Sequence, residues 1–140
     1  MKKWEEIQAE IRAITVDKAR AESLLDMAAI RADALQSLDE KRYASIIVEG
    51  YYEVIKELLT ALMCLDGYKT NSHEALIAYL HKFYAEFDDY EIDFMDTLRR
   101  IRNKIDYAGF SVNPNFLERN GLEISSIIKR LQDLVRTKLL

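Results

Sequence analysis

The sequence is poor in the residues that interrupt helices or build disulfide and metal sites. Its 140 residues include four glycines, one proline, one cysteine and two histidines. Because Cys64 stands alone among apolar neighbours, no disulfide can form within the chain, and we expect the thiol to pack in a core. His73 and His81 lack the i, i+4 spacing that places two zinc ligands on one helix face. These scarcities exclude disulfide scaffolds and Cys/His metal centres, and we expect no metal or other cofactor.

Long apolar runs are also missing. No segment approaches the roughly 20 apolar residues of a membrane span, and the beginning of the chain, MKKWEEIQAE, lacks the apolar core of a secretory signal. We therefore expect a cytoplasmic protein that makes no membrane contact. Hydrophobic residues are abundant at 49%, and charged residues make up 31%. With so few glycines and prolines, this composition is typical of a single helical domain over residues 1–140.

Apolar side chains recur at helical spacing and predict an all-α, up-and-down bundle of four to five helices. Heptad spacing from Trp4 to Leu35 indicates one long first helix, with Thr15 to Asp17 as either a kink or the cap of a separate helix. No strand-like alternation competes with this plan. Capping patterns mark the later helix starts, and Gly121 separates a leading turn from the last helix. The predicted helices cover residues 4–35, 40–65, 71–87, 89–110 and 122–138.

The segment LRRIRNKIDYAGF, residues 98–110, concentrates positive charge in an acidic protein. The whole chain has a formal net charge of -4, yet this segment carries four closely spaced cations: Arg99, Arg100, Arg102 and Lys104. Such a local positive field favours an anionic partner such as RNA or a nucleotide. An ordinary solvated helix face is the alternative interpretation.

The faces of this fourth helix differ in a way that favours a binding role. At about 100° per residue, one narrow stripe faces the core: Phe94, Leu98, Ile101 and Ile105. Arg102 and Asp106 lie together on its flank, at the i, i+4 spacing of an ion pair. Asn103, Tyr107 and Phe110 point nearly opposite the stripe, so we expect them to form the interface of a homodimer. The cations would then line a groove at that interface.

Two segments, YYEVIKELLTALMCLDGYKTNSHEALIAYL and LRRIRNKIDYAGFSV, resemble the HEPN domain of prokaryotic defence and toxin proteins. The likeness runs from Asp17 to the C-terminus and lies in the layout. A long helix is followed by an aromatic-rich helix ending at Asp-Gly, a third helix opened by Ser-His, and an Arg-Asn pair late in the fourth. The resemblance implies an up-and-down helical bundle that dimerises through its Arg-bearing helices, in agreement with the outward aromatics.

In catalytic members of that family a polar residue follows the arginine, a histidine lies five positions after the arginine, and two subunits form a metal-independent ribonuclease cleft. The resemblance assigns Arg102 as the arginine and Asn103 as the polar residue, with Tyr107 in place of the histidine. A phenol titrates at about 10 and a histidine at about 6.5, so Tyr107 is a poor proton acceptor at neutral pH. We expect Asp106 to hold Arg102 as an ion pair, with a base role as the alternative. His73 also matches a family position, and we interpret it as part of a helix start.

Three functions follow from these residues. We favour a dimeric HEPN-like module that binds RNA, a nucleotide or a partner protein and carries a degenerate nuclease motif. The resemblance implies a frequent partner, a minimal nucleotidyltransferase that forms a toxin-antitoxin pair with such a module. One alternative is an active metal-independent endoribonuclease toxin that uses Arg102, Asn103 and Tyr107 with help from Asp106. The other is a structural helical homodimer that binds no anion.

Overall fold

The computed structural model of the protein describes residues 2–140, which are mainly helical. This part of the chain contains six helices and a pair of short strands: α1 (Trp4–Gln8), β1 (Ile11–Ala13), α2 (Lys18–Gln36), α3 (Ala44–Asp66), β2 (Tyr68–Thr70), α4 (His73–Phe83), α5 (Asp89–Ala108) and α6 (Asn115–Leu139). No helix within residues 2–140 combines the length and the apolarity needed to cross a lipid bilayer. The helical class predicted from composition is confirmed, whereas the described residues form six helices instead of the four to five expected.

The N-terminal region departs from the predicted long first helix. β1 separates α1 from α2 and pairs antiparallel with β2, so its backbone hydrogen bonds go to a neighbouring strand instead of a helix. Asp17 caps α2, because its Oδ1 accepts a hydrogen bond from the backbone N–H of Arg20 at 3.0 Å. The cap at Thr15 to Asp17 is thus confirmed, whereas the continuous helix and the absence of strands are wrong. The apolar residues spaced through this region therefore do not belong to one helix face. Ile7, for example, is buried against α4.

α3 is the central element of the fold, and α2, α4, α5 and α6 all pack against it. These neighbours explain why α3 carries apolar side chains on nearly every side, most of which are buried. α2 runs antiparallel to α3, as successive neighbouring pairs show: Leu35 and Gly50, Arg31 and Glu57, Arg20 and Cys64. Cys64 is buried, in agreement with the expected packing role of its thiol.

The ends of α3 and α5 follow the sequence signals closely. Asp88 and Glu91 form a capping box at the start of α5, in which each side chain accepts a hydrogen bond from the other residue's backbone N–H. Gly67 ends α3 at a φ of 85°, and Gly109 ends α5 at a φ of 64°. This left-handed conformation is strained for residues with a Cβ, which explains why glycine marks both helix ends.

The boundaries of α4 and α6 differ from the prediction. The predicted helix began at residue 71, but Ser72 is the cap of α4, and its hydroxyl accepts a hydrogen bond from the backbone N–H of Ala75 at 3.1 Å. α4 ends at Phe83, and Phe87 is buried beyond the helix because the intervening turn folds it back into the core. α6 starts at Asn115 and continues through Gly121, since its buried face extends on both sides of that glycine. Burial of this face outweighs the cost of about 1 kcal/mol for glycine inside a helix.

One carboxylate joins three helices at the end of the bundle. Asp66 Oδ2 accepts hydrogen bonds from the hydroxyls of Tyr79 at 2.8 Å and Tyr84 at 2.7 Å, and Oδ1 lies 2.6 Å from Lys138 Nζ. Burial and the hydrogen bonds to Asp66 raise the pKa of both phenols. Asp66 therefore connects the C-terminal end of α3 to the second half of α4 and to the end of α6.

Candidate functional site

The outer face of α5 carries exposed aromatic side chains. Phe94 and Leu98 on its inner face are buried, whereas Tyr107 is 82% exposed and Phe110 is 46% exposed. Asn103, which the helical projection places beside Tyr107, is half-buried. The outward position predicted for Tyr107 is confirmed. Phe110 is also exposed but lies beyond the end of α5 at Ala108, so the predicted helix extended two residues too far, and Asn103 lies partly inside the protein surface.

A shallow cleft opens where the start of α4 meets the second half of α5. Its volume is about 330 Å³. We call it the α4–α5 cleft, and its lining is mostly polar: Lys2, Ser72, His73, Glu74, Arg99, Arg102, Asn103 and Tyr107. The cleft therefore brings together the predicted residues Arg102, Asn103 and Tyr107, and it adds His73 from a different helix.

Arg102 is held by acidic side chains on two helices. Its Nε lies 3.0 Å from Asp106 Oδ2, and its Nη2 lies 3.5 Å from Glu53 Oε1 on α3. The ion pair predicted between Arg102 and Asp106 is thus present. The Nε–H is not aligned on that oxygen and has no hydrogen-bond acceptor in the described chain. Nη1 donates to Asn103 Oδ1 at 3.4 Å, which orients the amide as well. The carboxylates therefore position Arg102, and its Nε–H is left without an acceptor in the described chain.

Glu49 extends this acidic set. Its carboxyl group forms a hydrogen bond with Asp106, and this bond, together with burial, raises the pKa of Glu49 to about 7. Asp106 is thus shared between a cation and a second carboxyl group, which fits the expected structural role and gives the site a group that titrates near neutrality. Sequence reasoning missed Glu49, although Glu49 and Glu53 have i, i+4 spacing on a predominantly apolar helix, a signal that could have identified the pair.

The other predicted cations are distributed over different surfaces. Arg99 lies in the cleft, with Nε 2.8 Å from Asp96 Oδ1 and Nη2 3.5 Å from Glu74 Oε2. Arg100 is largely exposed, outside the cleft, and its Nε lies 3.3 Å from Asp96 Oδ2. Lys104 also lies outside the cleft, with Nζ 5.8 Å from the centroid of the Phe110 ring. Carboxylates compensate much of the positive charge that the sequence places on α5.

His73 contributes a ring to the cleft from the first turn of α4. It is half-buried, and its ring centroid lies 5.9 Å from that of Tyr52. Burial and the positive charges of Lys56 and Arg102 lower the pKa of His73, so the imidazole is neutral at pH 7. The prediction that His73 belongs to a helix start is confirmed. Its ring also lines the cleft beside Arg102, which spacing along the chain could not indicate.

The chemistry available in the cleft is that of hydrogen-bond donors and one neutral imidazole. No group of three or more His, Cys, Asp or Glu side chains within residues 2–140 is arranged to hold a metal ion. The guanidinium groups of Arg99 and Arg102 are suited to phosphate oxygens, and an exposed tyrosine can stack on a base. The cleft and fold together define a helical protein with an arginine-containing polar cleft.

No protein-family model matches this sequence, and no curated protein or solved structure has significant similarity to it.

Proposed function

We propose that the protein is a HEPN-like module that forms a homodimer and binds single-stranded RNA in the α4–α5 cleft, with little or no cleavage. The observation that carries the proposal is the convergence of His73, Arg99, Arg102 and Asn103 beside the exposed ring of Tyr107. Phosphate would accept hydrogen bonds from the guanidinium groups, and a base would stack on the face of the Tyr107 ring that a partner subunit leaves open. This combination suits a nucleic-acid strand better than a compact inorganic anion.

The acidic partners of the arginines determine how such binding would depend on salt. Glu53 and Asp106 fix the Arg102 side chain, so little conformational entropy is lost when phosphate binds. They also reduce the attraction over long distances, because each guanidinium already lies beside a carboxylate. We therefore expect moderate affinity with a contribution from about two phosphate contacts per cleft, in contrast to a strongly basic RNA-binding surface.

A dimer would double the cleft and cover the aromatic face of α5. Tyr107 lies both in the cleft and on that face, so a second copy packed there would place two clefts near one symmetry axis. The family resemblance adds a role in a toxin-antitoxin system with a minimal nucleotidyltransferase as partner. In that role the protein would act through RNA binding or partner binding, since the tyrosine replaces the histidine expected of a nuclease.

Binding of a fluorescent single-stranded RNA tests the proposal. Fluorescence anisotropy at salt concentrations between about 50 and about 200 mM should show binding that weakens with salt, and Arg102→Gln should reduce the slope of log K against log salt by about 0.7. Arg102→Lys should bind less tightly than wild type because an ammonium group lacks the bidentate geometry.

Arg136→Gln is the matched control, because it removes the same charge from an arginine that lies between α2 and α6. It should bind RNA as wild type does. Absence of binding at about 50 mM salt, or equal losses in Arg102→Gln and Arg136→Gln, would reject specific binding in the cleft. Thermal unfolding of each variant establishes that the differences do not come from loss of the fold.

A second candidate, a metal-independent ribonuclease, is favoured by one observation, the neutral His73 in the same cleft as Arg102. A neutral imidazole can accept the proton of a ribose 2′-hydroxyl, which Tyr107 cannot readily do at pH 7. We expect negligible wild-type cleavage with metals chelated and a gain of activity in Tyr107→His. Single-turnover cleavage assays decide between the two functions. Robust wild-type cleavage that disappears in both His73→Ala and Arg102→Ala would establish the nuclease instead.

A further inference from the structure

A second cavity shares His73 with the α4–α5 cleft but is lined largely by other elements. Its volume is about 320 Å³, and it lies among α2, α3, β2 and the start of α4. We call it the Arg20 pocket. Three cations line it, together with an exposed amide and an apolar wall: Arg20, Lys56, Lys69, Asn71, Leu24 and Leu76. The motifs of α5 that suggest RNA binding contribute nothing to this pocket.

The Arg20 pocket carries a surplus of positive charge in an acidic protein. Arg20 and Lys69 form no ion pair within residues 2–140, whereas Lys56 Nζ lies 2.7 Å from Glu53 Oε2. Glu57 is the carboxylate among the lining residues, and its Oε1 lies 2.6 Å from Arg31 Nε. Since Glu57 is already neutralised by that partner, the charges of Arg20 and Lys69 are uncompensated in the pocket, unlike those of the arginines in the α4–α5 cleft.

Arg20 has unused hydrogen-bonding capacity. Its side chain is part-buried, and its one side-chain hydrogen bond within residues 2–140 is from Nη1 to Cys64 Sγ at 3.6 Å. Burial raises the pKa of Cys64, so the sulfur is a neutral thiol and a weak acceptor. A guanidinium has five N–H donors that match the geometry of phosphate oxygens. The other N–H donors of the Arg20 guanidinium therefore have no acceptor within residues 2–140.

The start of α4 adds to the positive potential of the pocket. Thr70 and Asn71 precede Ser72, the cap of this eleven-residue helix, and they line the pocket together with His73, its first residue. Because the N-terminal end of a helix carries a partial positive charge, it reinforces the attraction of Arg20 and Lys69 for an anion. The volume is large enough for a diphosphate group, with Leu24 and Leu76 available to contact an attached apolar moiety.

We infer that the Arg20 pocket binds the phosphate or diphosphate group of an organic ligand through Arg20, Lys69 and Asn71. This site is separate from the RNA-binding cleft proposed above. A free nucleotide and the 5′-phosphate end of RNA both present the required chemistry. The pocket and the cleft share only His73 among their lining residues, and the proposed ligands of the anion, Arg20, Lys69 and Asn71, all lie outside the cleft.

Calorimetric titration with inorganic pyrophosphate at low ionic strength tests this site with the full chain. Wild type should bind, and Lys69→Gln and Arg20→Gln should each bind about tenfold more weakly or worse, as expected for the loss of one charge-assisted hydrogen bond. Arg102→Gln and Arg136→Gln serve as controls that remove the same charge from the cleft and from the α2–α6 surface, and both should keep wild-type affinity. Thermal unfolding verifies that both Arg20→Gln and Lys69→Gln keep the fold. Lys69 lies in the short strand β2.

ADP and a short 5′-phosphorylated RNA, with its 5′-hydroxyl form as control, then compete with pyrophosphate. Displacement by ADP alone assigns the pocket to free nucleotides, and displacement by the 5′-phosphorylated RNA alone assigns it to RNA ends. Displacement by neither would overturn the assignment to an organic phosphate. The inference also fails if wild type does not bind pyrophosphate, if Lys69→Gln and Arg20→Gln bind as tightly as wild type, or if Arg136→Gln weakens binding equally. Loss of RNA binding in Arg102→Gln with unchanged pyrophosphate binding would show that the two sites are independent.

Discussion

The cations on α5 differ in how closely carboxylates hold them. Arg102 is positioned by Glu53 and Asp106, and Arg99 by Glu74 and Asp96. By contrast, Lys104 is solvent-exposed and contacts an aromatic ring. Replacement of Arg102 therefore removes a donor and also leaves acidic groups unpaired. For this reason the RNA-binding experiment compares glutamine with lysine at that position.

The carboxyl pair of Glu49 and Asp106 makes stability depend on pH. The pKa of Glu49 is about 7 in the folded protein, above its ordinary value of 4.5, so folded molecules retain a proton that unfolded chains release. The free energy of unfolding should therefore fall as pH rises from about 4.5 to about 7, because the unfolded state binds fewer protons in this window. Glu49→Gln removes this decline and should be more stable than wild type at about pH 8, by about 1 kcal/mol after allowance for solvent screening.

Urea unfolding at about pH 5 and about pH 8 measures this effect for wild type and Glu49→Gln. Glu22→Gln provides the control, because Glu22 is exposed on α2 and forms no ion pair within residues 2–140. It should leave the pH dependence unchanged. A wild-type protein and a Glu49→Gln variant with parallel pH profiles would show that the two carboxyl groups are not coupled.

At the scale of elements, the contact between α2 and α3 depends on a glycine. A Cβ at Gly50 would lie 2.5 Å from Leu35 Cδ2 and 2.7 Å from Leu35 Cδ1, so the leucine would have to move. Gly121 lies inside α6 with nothing within 4 Å of the equivalent Cβ position. Substitution of Gly121 therefore reports helix propensity alone, whereas substitution of Gly50 also reports the packing of α2 against α3.

Alanine substitution at these glycines should change stability in opposite directions. Gly121→Ala should raise the free energy of unfolding by about 0.5 to 1 kcal/mol, since alanine favours a helix interior. Gly50→Ala gains the same propensity but displaces the buried Leu35, and overpacking of this kind costs about 1 to 3 kcal/mol, so we expect net destabilisation. Chemical unfolding measures both. Equal stabilisation by the two substitutions would mean that α2 adjusts to the extra methyl group without cost.

At the scale of the whole molecule, the exposed aromatics of α5 predict a two-fold symmetric dimer. Tyr107 is more exposed than Phe110, and a charge placed at position 107 would be buried without a partner in such an interface. Sedimentation velocity at micromolar concentration should show a wild-type dimer and a monomeric Tyr107→Asp variant.

Tyr90→Asp is the matched control, since Tyr90 is 68% exposed in the first turn of the same helix, at its opposite end. This variant should remain dimeric. A monomeric wild type would contradict the assembly, and a dimeric Tyr107→Asp protein would place the interface on another surface. Neither result would bear on pyrophosphate binding in the Arg20 pocket, which is tested separately.

Local patterns in the sequence determined the helical class, the apolar character of α3 and several helix ends. Some helix ends depend only on neighbouring backbone groups, as at the Asp88–Glu91 capping box and at Gly67 and Gly109. Their effects can therefore be predicted without the rest of the fold. The i, i+4 pair of Arg102 and Asp106 is local in the same sense. These features are set by interactions within about one helical turn, which is the range over which sequence spacing predicts geometry.

The tertiary structure alone decided which distant residues meet. Pairing of β1 with β2 divides the predicted first helix, because hydrogen bonds to a strand more than 50 positions away replace those of a helix. The approach of α4 to α5 places His73 beside Arg102, and the approach of α3 brings Glu49 and Glu53 to the same arginine. The sequence thus predicted the run of positive charge on α5 and its local ion pair with Asp106. Helix packing added Glu53 and Glu74 to these arginines and left Arg20 and Lys69 without an ion pair within residues 2–140.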